Sequence, residues 1–156
     1  MPLTFAYGSN MDAKAMELRC PGAKMRGRAR LPRHRVALLP DGFATLVRDA
    51  GSTAHGVLWE LSFGNLAALD RYEGDGYVKV SQPVLREGLP PMRALIYIGR
   101  PAGGSHRAPE DYMARIVAVA REVGLPIGHI DFLRRLAGEN LEPCSRFRAI
   151  RNPKAL

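Results

Sequence analysis

Six short apolar runs, each rich in β-branched or aromatic residues and each cut off by Gly, Pro or Asp, constrain the fold of this chain more than any other feature. They cover residues 3–7, 34–39, 43–47, 54–61, 77–85 and 92–98, with the composition and punctuation of β-strands. Pro40-Asp41-Gly42 is turn chemistry, so 34–39 is expected to pair with 43–47 as a hairpin. Helical signals are fewer. Met11 to Arg19 runs without a breaker from an N-cap at Asn10 or Asp12 until Pro21-Gly22 stops it. Ser62 caps a second helix that ends at Gly74. A third is expected from Pro109, a favoured first-turn residue, to Gly124, with Tyr112, Ile116, Val119 and Val123 on one face. A fourth covers roughly Gly128 to Leu136 and closes at Gly138. Many strands with few helices predict an α+β fold around a curled, mostly antiparallel sheet.

The 156 residues suit a single domain, read here as 1–142 followed by a basic tail at 143–156. Hydrophobic content of 46% and charged content of 24% are those of a globular chain rather than a disordered one. There is no apolar run of about 18 residues and no basic-then-apolar leader, so a cytoplasmic protein without a membrane partner is expected. Cys20 and Cys144 stand far apart and outside any CxxC spacing, which predicts free thiols. His34, His55, His106 and His129 form no HxxxH or HExxH pair, so no metal is expected. Ser9 lacks the GxSxG context of a serine hydrolase, and Gly103-Gly104-Ser105 lacks the lysine of a phosphate loop and reads as a flexible turn.

A formal charge of +8 raises the question of nucleic acid, the more so with Arg26, Arg28, Arg30, Arg33 and Arg35 within ten residues. From Arg26 to Arg30 the arginines fall at every second position, as on the solvent face of an edge strand, where charge discourages pairing with other chains. Few aromatics are interleaved to stack bases, so no nucleic-acid partner is expected, although a positive surface can steer anionic ligands.

Two segments carry candidate chemistry. Tyr7-Gly8-Ser9-Asn10 turns from the first strand into a helix start, where unpaired N–H groups at the positive end of the helix dipole suit a carboxylate or an oxyanion. In the helix from Ser62 to Gly74, Leu66, Leu69 and Glu73 stand at i, i+3 and i+7, so the carboxylate shares the stripe that faces the core. Burial and the negative end of the dipole both favour its protonated form, conditions that suit proton transfer near neutral pH. The alternative is a frayed helix end with Asp70, Arg71 and Glu73 on a wet surface. Trp59 reads as core, and Tyr112 points inward near its helix start.

Phe5-Ala-Tyr-Gly-Ser-Asn-Met11, Gly56-Val-Leu-Trp59, Leu69-Asp-Arg-Tyr-Glu-Gly74 and Tyr77-Val78 together, in order and at similar separations, resemble the gamma-glutamylcyclotransferase (AIG2-like) family. Ala94-Leu-Ile-Tyr97 and the stretch from Tyr112 to Pro126 extend the similarity across most of residues 3–136. The resemblance implies a small, mixed barrel-like sheet with flanking helices and a cavity at the end of the first strand. It implies a substrate-binding loop at Tyr7, Gly8, Ser9 and Asn10, a catalytic glutamate at Glu73, and pocket tyrosines at Tyr77 and Tyr112. The implied activity converts a small gamma-glutamyl amide or peptide into 5-oxoproline and a free amine, with no metal or organic cofactor. The stretch after about Glu142 lies outside the resemblance, and the loop from Glu73 to Tyr77 is short relative to some members, which leaves the departing amine open, glutathione-derived or otherwise. A non-catalytic module holding a small carboxylated metabolite on the same fold is the competing reading, and the oligomeric state is open.

Overall fold

The computed structural model describes residues 1–100 and 107–139. Its strands are β1 (Leu3–Ala6), β2 (Lys24–Leu38), β3 (Ala44–Glu60), β4 (Tyr77–Arg86) and β5 (Leu89–Gly99). Its helices are α1 (Ala13–Arg19), α2 (Phe63–Glu73), α3 (Tyr112–Glu122) and α4 (Ile127–Leu136), with short 3-10 turns at Ser9–Met11 and Gly74–Gly76. The strands close a barrel in the order β1-β3-β2-β4-β5. Every pairing is antiparallel except β1 with β5, which run parallel through Thr4↔Leu95. The α+β expectation and the small barrel-like sheet therefore hold.

The six expected runs become five strands, four of them longer than expected, while β1 ends one residue early at Ala6. The hairpin through Pro40-Asp41-Gly42 forms, but its arms continue through residues that read as breakers, so 43–47 and 54–61 are one strand. On β2 the register shifts between Pro32 and His34, and Arg33 takes a left-handed φ of 62°. A bulge of this kind carries the strand past a proline that cannot donate to the ladder. The edge-strand reading of Arg26 to Arg30 is corrected by the same topology. β3 pairs with β2 along its length and β4 meets it at Arg30↔Leu85, so the closed sheet offers no free edge there. Three of the five arginines are tied to their own fold: Arg26 to Glu60 at 2.7 Å, Arg35 to Asp49 at 3.3 Å, and Arg28 to the Gly124 carbonyl at 2.6 Å.

One core joins barrel and helices. Val36, Val57, Leu58, Val84 and Ile96 of the strands are fully buried with Met16 of α1, Leu69 of α2, Ile116 of α3 and Leu133 of α4. Each such side chain contributes roughly 1.5–3 kcal/mol on burial. β1 is locked against β3 from Leu3↔Glu60 to Ala6↔Val57, and this fixes where the chain leaves the sheet. Gly56 makes that approach possible, since a Cβ there would lie 2.1 Å from the Ala6 carbonyl oxygen.

Of the two caps open for the first helix the later one holds, and one helix start differs from expectation. The side chain of Asp12 caps α1 by accepting from Lys14 N at 2.9 Å, so Asn10 is not the cap. Helix α3 begins at Tyr112, whose N–H bonds to the Pro109 carbonyl at 3.0 Å, so Pro109 sits in the preceding turn. The buried face of α3 is Met113, Ile116, Val117 and Ala120, with Val119 and Val123 at its flank. Among the described residues no helix is long and apolar enough to cross a membrane, and no three His, Cys, Asp or Glu side chains group as metal ligands. Cys20 is a buried free thiol. Cys144, the Gly103-Gly104-Ser105 turn and the tail at 143–156 lie outside the described residues.

Candidate active site

A cleft of about 630 Å³ opens where β1 ends, between α1, the end of α2 and the start of α3. The Tyr7–Asn10 turn forms its floor. Among the described residues the N–H groups of Gly8, Ser9 and Asn10 have no acceptor, and the three residues line the cleft. They belong to a short 3-10 turn, and helix α1 with its dipole starts only at Ala13, so the expected place at that helix's positive end is corrected. The turn is pinned from behind by Trp59, whose indole Nε1 donates to the Asn10 carbonyl at 2.9 Å. Trp59 is thus buried, as its strand position predicts, and also holds the turn.

Glu73 is the last residue of α2. Ser62 caps the start of that helix by accepting from Asn65 N, and Gly74, with φ of 66°, ends it. Glu73 Oε1 accepts from Asn10 Nδ2 at 2.7 Å, which joins the carboxylate to the turn. Burial raises its pKa above the usual carboxylate value, while the Asn10 bond and the Arg19 charge pull the other way. The wet-surface alternative for this side chain is excluded by that contact. A second clasp holds the helix one turn back. Asp70 accepts from the Tyr97 hydroxyl of β5 at 2.5 Å and from Lys79 Nζ of β4 at 2.8 Å. Burial opposes its ionisation, but these two bonds together hold Asp70 below the usual carboxylate value.

The tyrosines have distinct capacities. Tyr7 is buried, and its hydroxyl donates to the Tyr97 carbonyl at 2.6 Å, so it contributes wall and anchorage. The Tyr77 hydroxyl donates to the Ala44 carbonyl at 3.0 Å and keeps only lone pairs for a ligand. The Tyr112 hydroxyl accepts from Ala44 N at 3.1 Å and keeps its proton free to donate. Burial pushes Tyr112 up to about 12 and raises Tyr7 and Tyr77 as well, so all three are neutral phenols near pH 7.

The structure therefore brings Tyr7, Gly8, Ser9, Asn10, Glu73, Tyr77 and Tyr112 to one cleft. Sequence reasoning missed Arg19. Its Nη1 donates to Asn10 Oδ1 and lies 3.4 Å from Ser9 Oγ, and its guanidinium carbon stands 3.9 Å from the centre of the Tyr72 ring. A basic residue in the last turn of a helix reads as a dipole partner, and nothing in its spacing connects it to Asn10.

Residues 4–114 match the family model described as gamma-glutamyl cyclotransferase, AIG2-like. A human gamma-glutamylcyclotransferase is 27% identical over 147 residues, covering 86% of this chain and 78% of its own. A bovine gamma-glutamylcyclotransferase is 33% identical over 82 residues, 46% of this chain, and the match spans only 44% of the bovine protein. The solved structure of a gamma-glutamyl cyclotransferase superposes with a TM-score of 0.77 at 26% identity, covering 92% of this chain and 90% of that one. With a matching fold, a cleft at the end of the first strand and a family model spanning most of its length, the chain belongs to the gamma-glutamyl cyclotransferase, AIG2-like family.

Proposed function

We propose that this protein catalyses intramolecular aminolysis of a small gamma-glutamyl amide or peptide, giving 5-oxoproline and a free amine, with Glu73 as the proton carrier. The observation that carries the reading is the Glu73 carboxylate, set in the cleft and bonded at 2.7 Å to Asn10 of the Tyr7–Asn10 turn. In such a substrate the α-amine and the side-chain carbonyl belong to one molecule. Folding it into a near-attack shape is the enzyme's first task, worth roughly 7–11 kcal/mol in a well-oriented case.

Glu73 as carboxylate accepts a proton from the substrate ammonium, and the freed lone pair attacks the side-chain carbonyl carbon. A C–N bond forms and the carbonyl oxygen takes up negative charge. Glu73 then returns the proton to the departing nitrogen as its C–N bond breaks and the carbonyl reforms, and it takes the second proton from the new ring nitrogen, which passes to the freed amine as its ammonium or to water. A raised carboxyl pKa suits both halves, because the group must take a proton and also release it. The N–H groups of Gly8, Ser9 and Asn10 are the candidate donors for the substrate carboxylate or the developing oxyanion, where losing one donor typically costs about 2.7–4 kcal/mol. Tyr112 can add a hydroxyl donor, and Tyr77 and Tyr7 supply wall. The reaction as written needs no cofactor.

The test is release of 5-oxoproline from a panel of gamma-glutamyl dipeptides, which also identifies the accepted leaving amine. A chain that binds such peptides without releasing the lactam would be the non-catalytic module instead. Binding to nucleic acid that weakens steeply with salt and depends on Arg26 to Arg35 would point instead to a nucleic-acid-binding protein.

A further inference from the structure

We infer that Arg19 is a positioning residue for Glu73, acting through Asn10 by dictating which end of the Asn10 amide faces the carboxylate. The inference draws on the cyclotransferase reading for its catalytic consequence, while its geometry stands by itself. A guanidinium has N–H donors and no acceptor. The Asn10 atom that meets Arg19 Nη1 must therefore be Oδ1, and this turns Nδ2 toward Glu73 Oε1. The reversed amide would oppose donor to donor at Arg19 and oxygen to oxygen at Glu73. An N–H donor at Glu73 favours its carboxylate form, whereas a carbonyl oxygen there would favour the protonated acid.

Arg19 is itself held in place. Its guanidinium carbon lies 3.9 Å from the Tyr72 ring centre, a cation–π distance, and Tyr72 is the neighbour of Glu73 on α2. Helix α1, the Tyr7–Asn10 turn and the end of α2 thus form one connected line from Tyr72 through Arg19 and Asn10 to Glu73. Among the other groups around the carboxylate, only the Tyr112 hydroxyl keeps a proton free to donate, and the one bond that Glu73 accepts among the described residues comes from Asn10. Tyr7 after β1, Tyr77 of β4, Tyr97 of β5 and Tyr112 of α3 are phenols with raised pKa, and the hydroxyls of Tyr7, Tyr77 and Tyr97 donate elsewhere. On its own helix Asp70 pairs with Lys79, and Asp75 of the following turn is exposed.

The experiment titrates Glu73 directly, by carbon NMR of side-chain carboxyls labelled in the full chain, assigned with Glu73→Gln. It compares the parent with Arg19→Met and Arg19→Lys and measures 5-oxoproline release on the same samples. In Arg19→Met the Glu73 midpoint is expected to rise by about one pH unit, with the acid limb of the kcat profile, and to rise clearly less when Asn10→Ala is also present. An equal rise in both backgrounds would trace the shift to the Arg19 charge acting directly and overturn the inference. Arg19→Lys, still a cationic donor without an acceptor, should restore most of the parent midpoint. Arg19→Gln serves if Arg19→Met does not fold, because its amide can present either end to Asn10. Equal midpoints in parent and variants overturn the inference, as does a change confined to KM, which would make Arg19 a substrate ligand. A midpoint that rises in a chain releasing no 5-oxoproline keeps the positioning role and removes the cyclotransferase reading.

Discussion

At the scale of single residues, Glu73 couples chemistry and stability through one proton. Burial lifts its folded-state pKa above the 4.5 of a freely exposed glutamate. Between 4.5 and the folded pKa the folded chain binds more proton than the unfolded one, so stability declines as pH rises through that window. Glu73→Gln resembles the protonated acid and cannot carry a proton. We expect it to lower 5-oxoproline release by at least about 10²-fold, the lower range for a general acid–base group. Urea unfolding should find variant and parent close at pH 4 and the variant more stable at pH 7.5. Retained turnover would remove Glu73 from the mechanism, and a variant that loses stability toward high pH would contradict the buried-carboxyl account. The position of Glu73 is legible in the sequence because its cause is local: the i, i+3, i+7 stripe with Leu66 and Leu69 aims it, and Gly74 ends the helix there. The part played by Asn10 is not legible. It reads as an N-cap, yet Asp12 fills that role, and what holds its amide is a guanidinium nine residues away and a carboxylate 63 residues away.

At the scale of elements, the site depends on where β1 stops. The turn from Tyr7 to Asn10 follows at once from the last β1 pair, Ala6↔Val57, and the close approach of Ala6 to Gly56 sets that register. A Cβ at position 56 would sit 2.1 Å from the Ala6 carbonyl oxygen and 3.0 Å from the Phe5 ring, and the first of these is backbone that cannot swing aside. Gly56→Ala should therefore destabilise the fold by about 1–3 kcal/mol or more and depress lactam release as the turn shifts. Gly64→Ala, in α2 where a Cβ meets nothing closer than 3.9 Å, should stabilise by about 0.4–1 kcal/mol and leave turnover intact. Thermal melts of both variants check the pair, and equal melting points would refute the steric account. Strand types are legible from β-branched and aromatic runs, whereas strand lengths are not. Residues 24–33 hold four Arg with Gly27 and Pro32, residues 48–53 read Arg-Asp-Ala-Gly-Ser-Thr, and only the long pairing of β2 with β3, with its bulge at Pro32, makes them strand. Tertiary pairing here overrides local preference.

At the scale of the whole molecule, the helices must stay docked on the barrel while the chain carries a formal +8. Helix α4 is fastened near its first turn by His129, which is 7% exposed and has an Nε2 without a partner among the described residues. Its ring centre lies 5.2 Å from that of His55 on β3 and 6.4 Å from that of Phe132. Burial, and then the neighbouring His55, hold its pKa down to about 4. The first turn of α4 also disfavours a cation. Burial and Arg30 of β2 lower His55 in the same direction, and on α4 itself Asp131 and Arg134 pair with each other at 3.7 Å. A histidine kept neutral in the fold but titrating at 6.5 when unfolded gives its full stabilisation above 6.5 and loses it as pH falls toward 4. The whole loss amounts to about 3 kcal/mol, of which about 2 kcal/mol falls between pH 7 and pH 5. His129→Leu removes the proton site and keeps an apolar side chain against Phe132, so its unfolding free energy should depend less steeply on pH over that interval, whatever its absolute stability. Urea midpoints at pH 7, 6 and 5 measure the two slopes. Parallel curves would mean that His129 is hydrated in solution and that acid lability arises elsewhere, from the general repulsion of a chain that gains further positive charge as its carboxylates protonate.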